Sequence, residues 1–91
     1  MYRVHFSKRY NKSIKKLVKN GVVKLLDVDV VINFIINAKL LPIKYHDHKL
    51  NGKYEGFREC HIQGNLLLVY KIEKKELILV LIDIGTHSYL F

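Results

Sequence analysis

Polar, titratable side chains gather in the C-terminal half of the chain, around a stretch that otherwise alternates like a β-hairpin. Imidazole changes its charge near neutral pH, so paired histidines can take a proton from one oxygen and give a proton to another. In RNA, the ribose 2′-OH can attack the adjacent phosphate if a base, an acid and a cation assist it. These residue types suit metal-free RNA cleavage, although composition alone does not select that reaction. The residues are His46, Asp47, His48, Glu59, His61 and His87.

Other chemistries are less well supported by the spacing. Imidazole and carboxylate are ordinary zinc ligands, but the His46-x-His48 pair lacks a matching ligand motif, so we predict no metal and no cofactor. Successive strand residues point to opposite faces, which separates Cys60 from His61 and disfavours a nucleophile–base pair. Cys60 is therefore predicted to be a small core residue. The chain also lacks a phosphate-binding glycine loop, a GxSxG elbow and an HExxH helix.

The charge balance is strongly basic. Sixteen Lys and Arg oppose eight Asp and Glu, giving a net charge of +8 and a pI near 9.7. This excess favours a polyanionic partner, either nucleic acid, an acidic membrane surface or an acidic protein, although charge can also serve solubility alone. Part of it is concentrated in one short segment, at Lys8, Arg9, Lys12, Lys15, Lys16 and Lys19.

The cellular compartment is predicted from features that the sequence lacks. No apolar run reaches the roughly 18 residues of a membrane-spanning helix, and the N-terminus has no signal-peptide apolar block. A single cysteine, Cys60, excludes an intramolecular disulfide and fits a reducing environment. We therefore expect a cytoplasmic protein that does not bind membranes.

The N-terminal half reads as a strand followed by two helices, within one domain of 91 residues, 1–91. YRVHF alternates as a short strand. Ser7 is a good N-cap, and Asn20-Gly21 is a stop signal for the helix between them. Val22–Leu41 is rich in β-branched residues, but its length favours a second helix, and Pro42 should end it.

The C-terminal half predicts three strands, at about Lys53–Ile62, Leu66–Glu73 and Glu76–Ile84, after a polar connection. The middle strand is apolar on both faces and should be central in the sheet. The predicted fold is α+β: an N-terminal strand, a two-helix hairpin and a three-stranded antiparallel meander, forming one sheet. The helices should cover one face, and the other face is then free to form the floor of a groove.

A family resemblance narrows these possibilities. The segment KYHDHKLNGKYEGFRECHIQGNLLLVYKI, followed by IDIGTHSYLF, resembles the YafQ branch of the RelE/ParE superfamily of bacterial toxin–antitoxin toxins. The resemblance is close in the C-terminal half and extends to the N-terminal half only in layout. The matching positions are Tyr45, Asp47, His48, Leu50, Gly52, Gly56, Phe57, Arg58, Glu59, His61, Tyr70, Gly85, Thr86, His87, Leu90 and Phe91.

The resemblance implies a RelE-like compact ribonuclease fold and the toxin role of a type II toxin–antitoxin system. Such a toxin is a ribosome-dependent mRNA endoribonuclease that inhibits translation. A cognate antitoxin holds it inactive in a toxin–antitoxin hetero-oligomer, and the toxin alone is expected to be a monomer. The basic surface would then meet ribosomal RNA, mRNA and an acidic antitoxin segment.

Site roles are carried over by position. His48, His61 and His87 match the family's catalytic histidines, and Phe91 matches its terminal aromatic residue, which would stack on a base or shape the groove. Our hypothesis is that His48 and His87 share the base and acid roles, while His61 orients the scissile phosphate. Strand parity argues against Arg58 lying beside His61 unless a bulge intervenes. The predicted RNA-binding residues are Arg58, Lys49, Lys53 and Asn65.

One position departs from the family pattern. Where the family has an acidic residue after a proline, this chain has Gly64 and Asn65. An amide can form hydrogen bonds but cannot act as a base or hold an imidazolium as a carboxylate does. Weaker activity or a greater dependence on the ribosome is expected. Two alternatives stay open: a ParE-like toxin that inhibits DNA gyrase, and a degenerate toxin that only binds its antitoxin.

Overall fold

The computed structural model describes residues 1–91 and consists of helices packed on one mixed sheet, so the α+β class is confirmed. None of its helices has the length and apolar run needed to cross a bilayer. Two 3₁₀ turns, Ile43–Tyr45 and Gly52–Tyr54, flank the second strand. In chain order the other elements are β1 Arg3–Phe6, α1 Lys8–Lys19, α2 Leu25–Ile36, β2 His48–Lys49, β3 Arg58–Gln63, β4 Leu66–Glu73, β5 Ile78–Thr86 and α3 His87–Leu90.

The sheet differs in detail from the prediction. Its strand order is β1-β5-β4-β3-β2, so the predicted meander is present as β3–β4–β5 with β4 central, but the sheet has five strands. β1 pairs with β5 in parallel, and β2 pairs antiparallel with β3. β2 was predicted as part of the polar connection, because two residues are too few to show an alternating pattern. α3 was also missed, since four residues are too few to show helical periodicity.

Helix α1 begins and ends where its sequence signals predict. The Ser7 hydroxyl accepts a hydrogen bond from the Tyr10 amide at 3.0 Å, the typical N-cap contact. The same hydroxyl donates to the carbonyl of Ile82 in β5 at 2.7 Å. At the other end, Asn20 is the C-cap and Gly21 has a φ of 72°, a left-handed conformation that suits glycine. Ser7 therefore both starts α1 and attaches it to β5.

Helix α2 is shorter than Val22–Leu41. Asn37 is its C-cap, and Ala38 has a φ of 56°, so the helix ends before Pro42 can act. Its inner face buries Val28, Val31, Ile32 and Ile35. The opposite face leaves apolar side chains in solvent: Leu25, Leu26 and Val30.

The core lies between the helices and one face of the sheet. Leu68 in β4, Leu81 in β5 and Val31 in α2 are all 0% exposed. Leu67 and Val69 alternate with Leu68 along β4 and are also buried, so this strand is covered on both faces. A central strand with both faces covered is a rigid support for the residues on its neighbours, β3 and β5.

Candidate active site

The pairing of β2 with β3 brings His48 to Glu59. The two residues are register partners, and His48 Nε2 lies 3.1 Å from Glu59 Oε1. His48 Nδ1 lies 2.7 Å from the carbonyl oxygen of His46, which can only accept a hydrogen bond. Nδ1 therefore donates, and Nε2 faces the Glu59 carboxylate. This arrangement fixes the orientation of the His48 ring between two oxygen atoms.

Glu59 itself is buried, with 7% of its surface exposed, and its Oε2 has no hydrogen-bond partner. Burying a carboxylate is costly unless a charge or a donor compensates for it. The nearby His48 ring is the group that does so. Because residues two apart on a strand share a face, the sequence already placed Glu59 on the same face as His61. Only the pairing of β2 with β3 shows that Glu59 contacts His48.

His61 lies two residues beyond Glu59 on β3, so its side chain is on the same face. Its Nδ1 is 3.2 Å from the carbonyl oxygen of Gly64, which makes Nδ1 the donor and leaves Nε2 free to accept or carry a proton. The His46 ring packs edge-on against it, with 5.2 Å between ring centroids. His46, with a φ of 48°, thus contacts both histidines, through its carbonyl and through its ring.

These side chains open into a cleft of about 840 Å³ between α2, the first 3₁₀ turn and the β3–β4 turn. Asp27 of α2 and Lys44 of the first 3₁₀ turn also line the cleft. No three His, Cys, Asp or Glu side chains are placed to hold one metal ion. The ten residues that line the cleft are Asp27, Val30, Lys44, Tyr45, His46, His48, His61, Ile62, Gln63 and Gly64.

His87 and Phe91 are not in this lining; they stand at the end of β5. Their rings are in contact, with centroids 5.2 Å apart, and Phe91 meets Tyr54 edge-on at 4.9 Å. Tyr54 belongs to the 3₁₀ turn between β2 and β3 and was not predicted as a site residue. Gly85 lies two strands across from His61, roughly 10 Å in a sheet. The predicted histidines are therefore not all in the cleft. His48 and His61 line it, whereas His87 stands beside Phe91 at the end of β5.

Arg58 lies on the other side of β3. Its guanidinium donates to Asp47 at 2.8 Å, and its Nε donates to the Tyr70 hydroxyl at 3.3 Å, while that hydroxyl donates to Asp47. The Asp47 hydrogen bond raises the pKa of Arg58, and burial raises the pKa of Tyr70. The bulge in β3 falls between His61 and Gln63. Because it comes after Arg58, it does not change the face of the strand on which Arg58 lies. Arg58 thus holds Asp47, the residue before His48, and its role in RNA binding stays a prediction.

The other predicted RNA-binding residues are exposed. Lys49 follows His48 in β2 and, like Arg58, borders a second cavity of about 610 Å³. Lys53 places its ammonium group 5.3 Å from the centre of the Tyr54 ring, which contacts Phe91. Asn65 lies in the β3–β4 turn beside Gly64, which holds His61. Its effect on activity stays a prediction.

Cys60 is expected to resist alkylation in the native protein. It is 0% exposed, and burial, assisted by Asp47 and Glu59, raises its pKa to about 12. Because the thiolate is the reactive form, iodoacetamide at pH 8 should modify Cys60 only after denaturation, as mass spectrometry can measure. Rapid stoichiometric labelling of folded protein would contradict this burial.

The same shift predicts a loss of stability in alkali. The folded state favours the protonated thiol, so its contribution is fully present below the unfolded pKa of about 8.5 and falls as pH rises towards 12. Tyr10, whose pKa burial raises to about 12, adds to the same decline above pH 10. Urea unfolding of the wild type and of Cys60→Ala should show a shallower decline in the variant.

Comparison with known proteins gives matches over nearly the whole chain. A family model described as bacterial toxin of type II toxin–antitoxin system, YafQ, matches residues 2–91. The mRNA interferase toxin YafQ of Escherichia coli strain K12 is 32% identical over 89 residues, which cover 97% of this chain and 94% of the relative.

Solved structures agree with this match. The metal-bound toxin from Helicobacter pylori is 43% identical, with a TM-score of 0.94 and full coverage of both chains. In the E. coli DinJ–YafQ complex, the similar chain is 26% identical, with a TM-score of 0.87 over 100% of this chain and 99% of that one. The sheet, the helical hairpin and the short C-terminal helix are thus arranged as in these proteins.

Proposed function

Because the chain belongs to the YafQ family of toxins from bacterial type II toxin–antitoxin systems, we propose that it cuts translated mRNA at the ribosome with the histidines described above. It is a toxin component of such a system and an endoribonuclease of the mRNA interferase class. The observation that carries the mechanism is the position of the His48 ring between the His46 carbonyl and the Glu59 carboxylate.

The reaction needs no group beyond the RNA and the side chains. A base removes the 2′-OH proton, the 2′ oxygen bonds to the phosphorus, and the bond from phosphorus to the 5′ oxygen breaks. The products are a 2′,3′-cyclic phosphate and a 5′-OH, which receives a proton from the acid. We assign the acid role to His48, whose Nε2 faces the Glu59 carboxylate. His87 then takes the 2′-OH proton, and His61 holds a phosphate oxygen.

Aromatic rings provide the surface on which a base can stack. Phe91 is 41% exposed and meets Tyr54 edge-on, so part of its ring remains available. Stacking on an aromatic side chain contributes about 1–3 kcal/mol per base in single-stranded RNA sites. Lys53, over the Tyr54 ring, adds a positive charge beside the stacked nucleotide. The +8 chain then gains non-specific affinity from phosphates, which salt weakens.

A cognate antitoxin is the expected protein partner, since the E. coli YafQ chain is found in complex with DinJ. We propose that this chain forms a comparable hetero-oligomer, is a monomer when free, and acts in the cytoplasm, where translating ribosomes are found. The apolar residues exposed on α2 and the lysines of α1 offer hydrophobic and basic surfaces for an acidic amphipathic segment.

The test of this function is a purified bacterial translation system with a defined mRNA. Primer extension should reveal cuts within the translated region when toxin is added. The same mRNA without ribosomes, and an mRNA lacking a ribosome-binding site, should stay intact. Uncut mRNA at every toxin dose would refute the nuclease function. A DNA supercoiling assay and antitoxin binding would then separate a gyrase inhibitor from a degenerate toxin.

Glu59→Gln is expected to slow cleavage about tenfold to hundredfold, because a neutral amide no longer places a negative charge 3.1 Å from the His48 ring. Single-turnover rates on stalled ribosome–mRNA complexes measure this. Glu55→Gln is the matched control, since Glu55 is exposed in the preceding loop and should cleave at the wild-type rate. Equal rates for the two variants would remove Glu59 from the mechanism.

A further inference from the structure

Helix α3 carries His87 and leads to Phe91, yet it is only four residues long. A helix of one turn is not stable by itself, so contacts with the rest of the protein must fix its position. The Thr86 hydroxyl caps it by accepting from the Tyr89 amide at 3.3 Å. The Tyr89 ring covers Gly85, where an added Cβ would lie 2.5 Å from the ring. Tyr89 is therefore the main anchor of α3.

The hydroxyl of Tyr89 reaches a buried polar chain outside the cleft. It lies 3.1 Å from the Ser13 hydroxyl of α1, and Ser13 donates to Asp83 Oδ1 at 2.6 Å. Because Ser13 donates its hydroxyl proton to Asp83, the Ser13 oxygen must accept the hydrogen bond from the Tyr89 hydroxyl. The bonds thus run in one direction, from Tyr89 through Ser13 to the carboxylate of Asp83.

Asp83 has a buried charge that fixes this direction. It is 2% exposed and also accepts from the amide of Ile84 at 2.8 Å. Arg9 lies 3.1 Å from Asp83 Oδ2 but is poorly aligned for a hydrogen bond. Its largely exposed guanidinium therefore contributes a nearby positive charge. A short bond to a carboxylate is charge-assisted and strong, which commits the Ser13 hydroxyl to one orientation.

We propose that Asp83 is a positioning residue for the cleavage reaction: through Ser13 and Tyr89 it fixes α3, and thereby sets where His87 and Phe91 meet the RNA. The inference rests on the proposed nuclease function. Asp83, Ser13 and Tyr89 all lie outside the cleft lining, and Tyr89 is 61% exposed. Its hydroxyl contributes little to stability at that exposure, whereas a displacement of about 1 Å can slow an enzyme about 10²-fold.

Tyr89→Phe tests the proposal, since it keeps the ring over Gly85 and removes only the hydroxyl. The expected result is a fall in kcat of about tenfold or more, with KM for the ribosome–mRNA complex and the melting temperature unchanged. Tyr2→Phe makes the same chemical change at a residue remote from α3 and should behave as wild type. Unchanged kcat in Tyr89→Phe would overturn the proposal.

Ser13→Ala breaks the same chain at its middle. The double variant Ser13→Ala/Tyr89→Phe should cleave no more slowly than the slower single variant, because both remove one shared link. Independent, multiplying effects would count against a connected chain. A fall in melting temperature for Ser13→Ala with unchanged kcat would assign the network to folding alone.

A second readout does not depend on cleavage. Ring signals of His87 and Phe91 in ¹H–¹³C NMR spectra of the free protein report their 5.2 Å contact through ring-current shifts. These signals should move in Tyr89→Phe and stay in place in Tyr2→Phe. Unmoved signals would refute the positioning role. A wild-type protein that fails to cut mRNA would refute the proposed function instead, whatever the NMR result.

Discussion

His48→Ala and His87→Ala are each expected to slow the cleavage of ribosome-bound mRNA by about 10²- to 10⁴-fold, the usual cost of losing a general acid or base. For His48 the loss has two causes. The proton donor disappears, and the buried Glu59 is left without its compensating group. For His87 the variant removes the proposed acceptor of the 2′-OH proton but leaves the cleft itself intact. Single-turnover primer extension measures both rates.

The chain contains its own control for these variants. His5 is an exposed residue of β1, outside the cleft, and His5→Ala should cleave at the wild-type rate. A melting temperature measured for every variant separates catalytic loss from unfolding. Wild-type rates for both His48→Ala and His87→Ala would leave the proposed acid and base without support.

Leu68→Ala is expected to destabilise the fold by about 2–5 kcal/mol, the range for truncating a fully buried leucine. Leu68 is 0% exposed in the central strand, with Ile84 as its register partner. Since a domain of this size has only about 5–15 kcal/mol of stability, much of it would be lost. The melting temperature should fall by about 10 °C or more.

Leu26→Ala is the corresponding control, because Leu26 is 71% exposed on α2. The same truncation there leaves no cavity, so its unfolding free energy in urea should stay within about 0.5 kcal/mol of the wild type. A similar loss in both variants would mean that α2 is covered in solution by something else, such as a second chain.

Local signals account for the elements that were predicted well. Strand β4 has the predicted bounds, because an unbroken apolar run between two turns leaves little choice of register. Helix α1 starts at Ser7 and stops at Asn20 because caps act on backbone groups within one turn. Both features are readable from neighbouring residues alone.

Contacts between distant residues account for what was missed. The end of α2 depends on a left-handed Ala38, an unusual conformation for alanine that no sequence rule marks. Strand β2 exists only because β3 is beside it, and it brings Glu59 to His48. The motif identified the histidines by type, but their division between the cleft and α3 depends on the register of strands far apart in the chain.

The parallel pairing of β1 with β5 also determines the order in which the fold can be completed during synthesis. β5 is synthesised after the four other strands, yet it joins β1 to the rest of the sheet and supplies the carbonyl that receives Ser7. A nascent chain without residues 78–86 has its first strand unpaired, and His87 has still to be added. The pairing of β1 and the attachment of α1 through Ser7 are therefore completed only after β5 has been made.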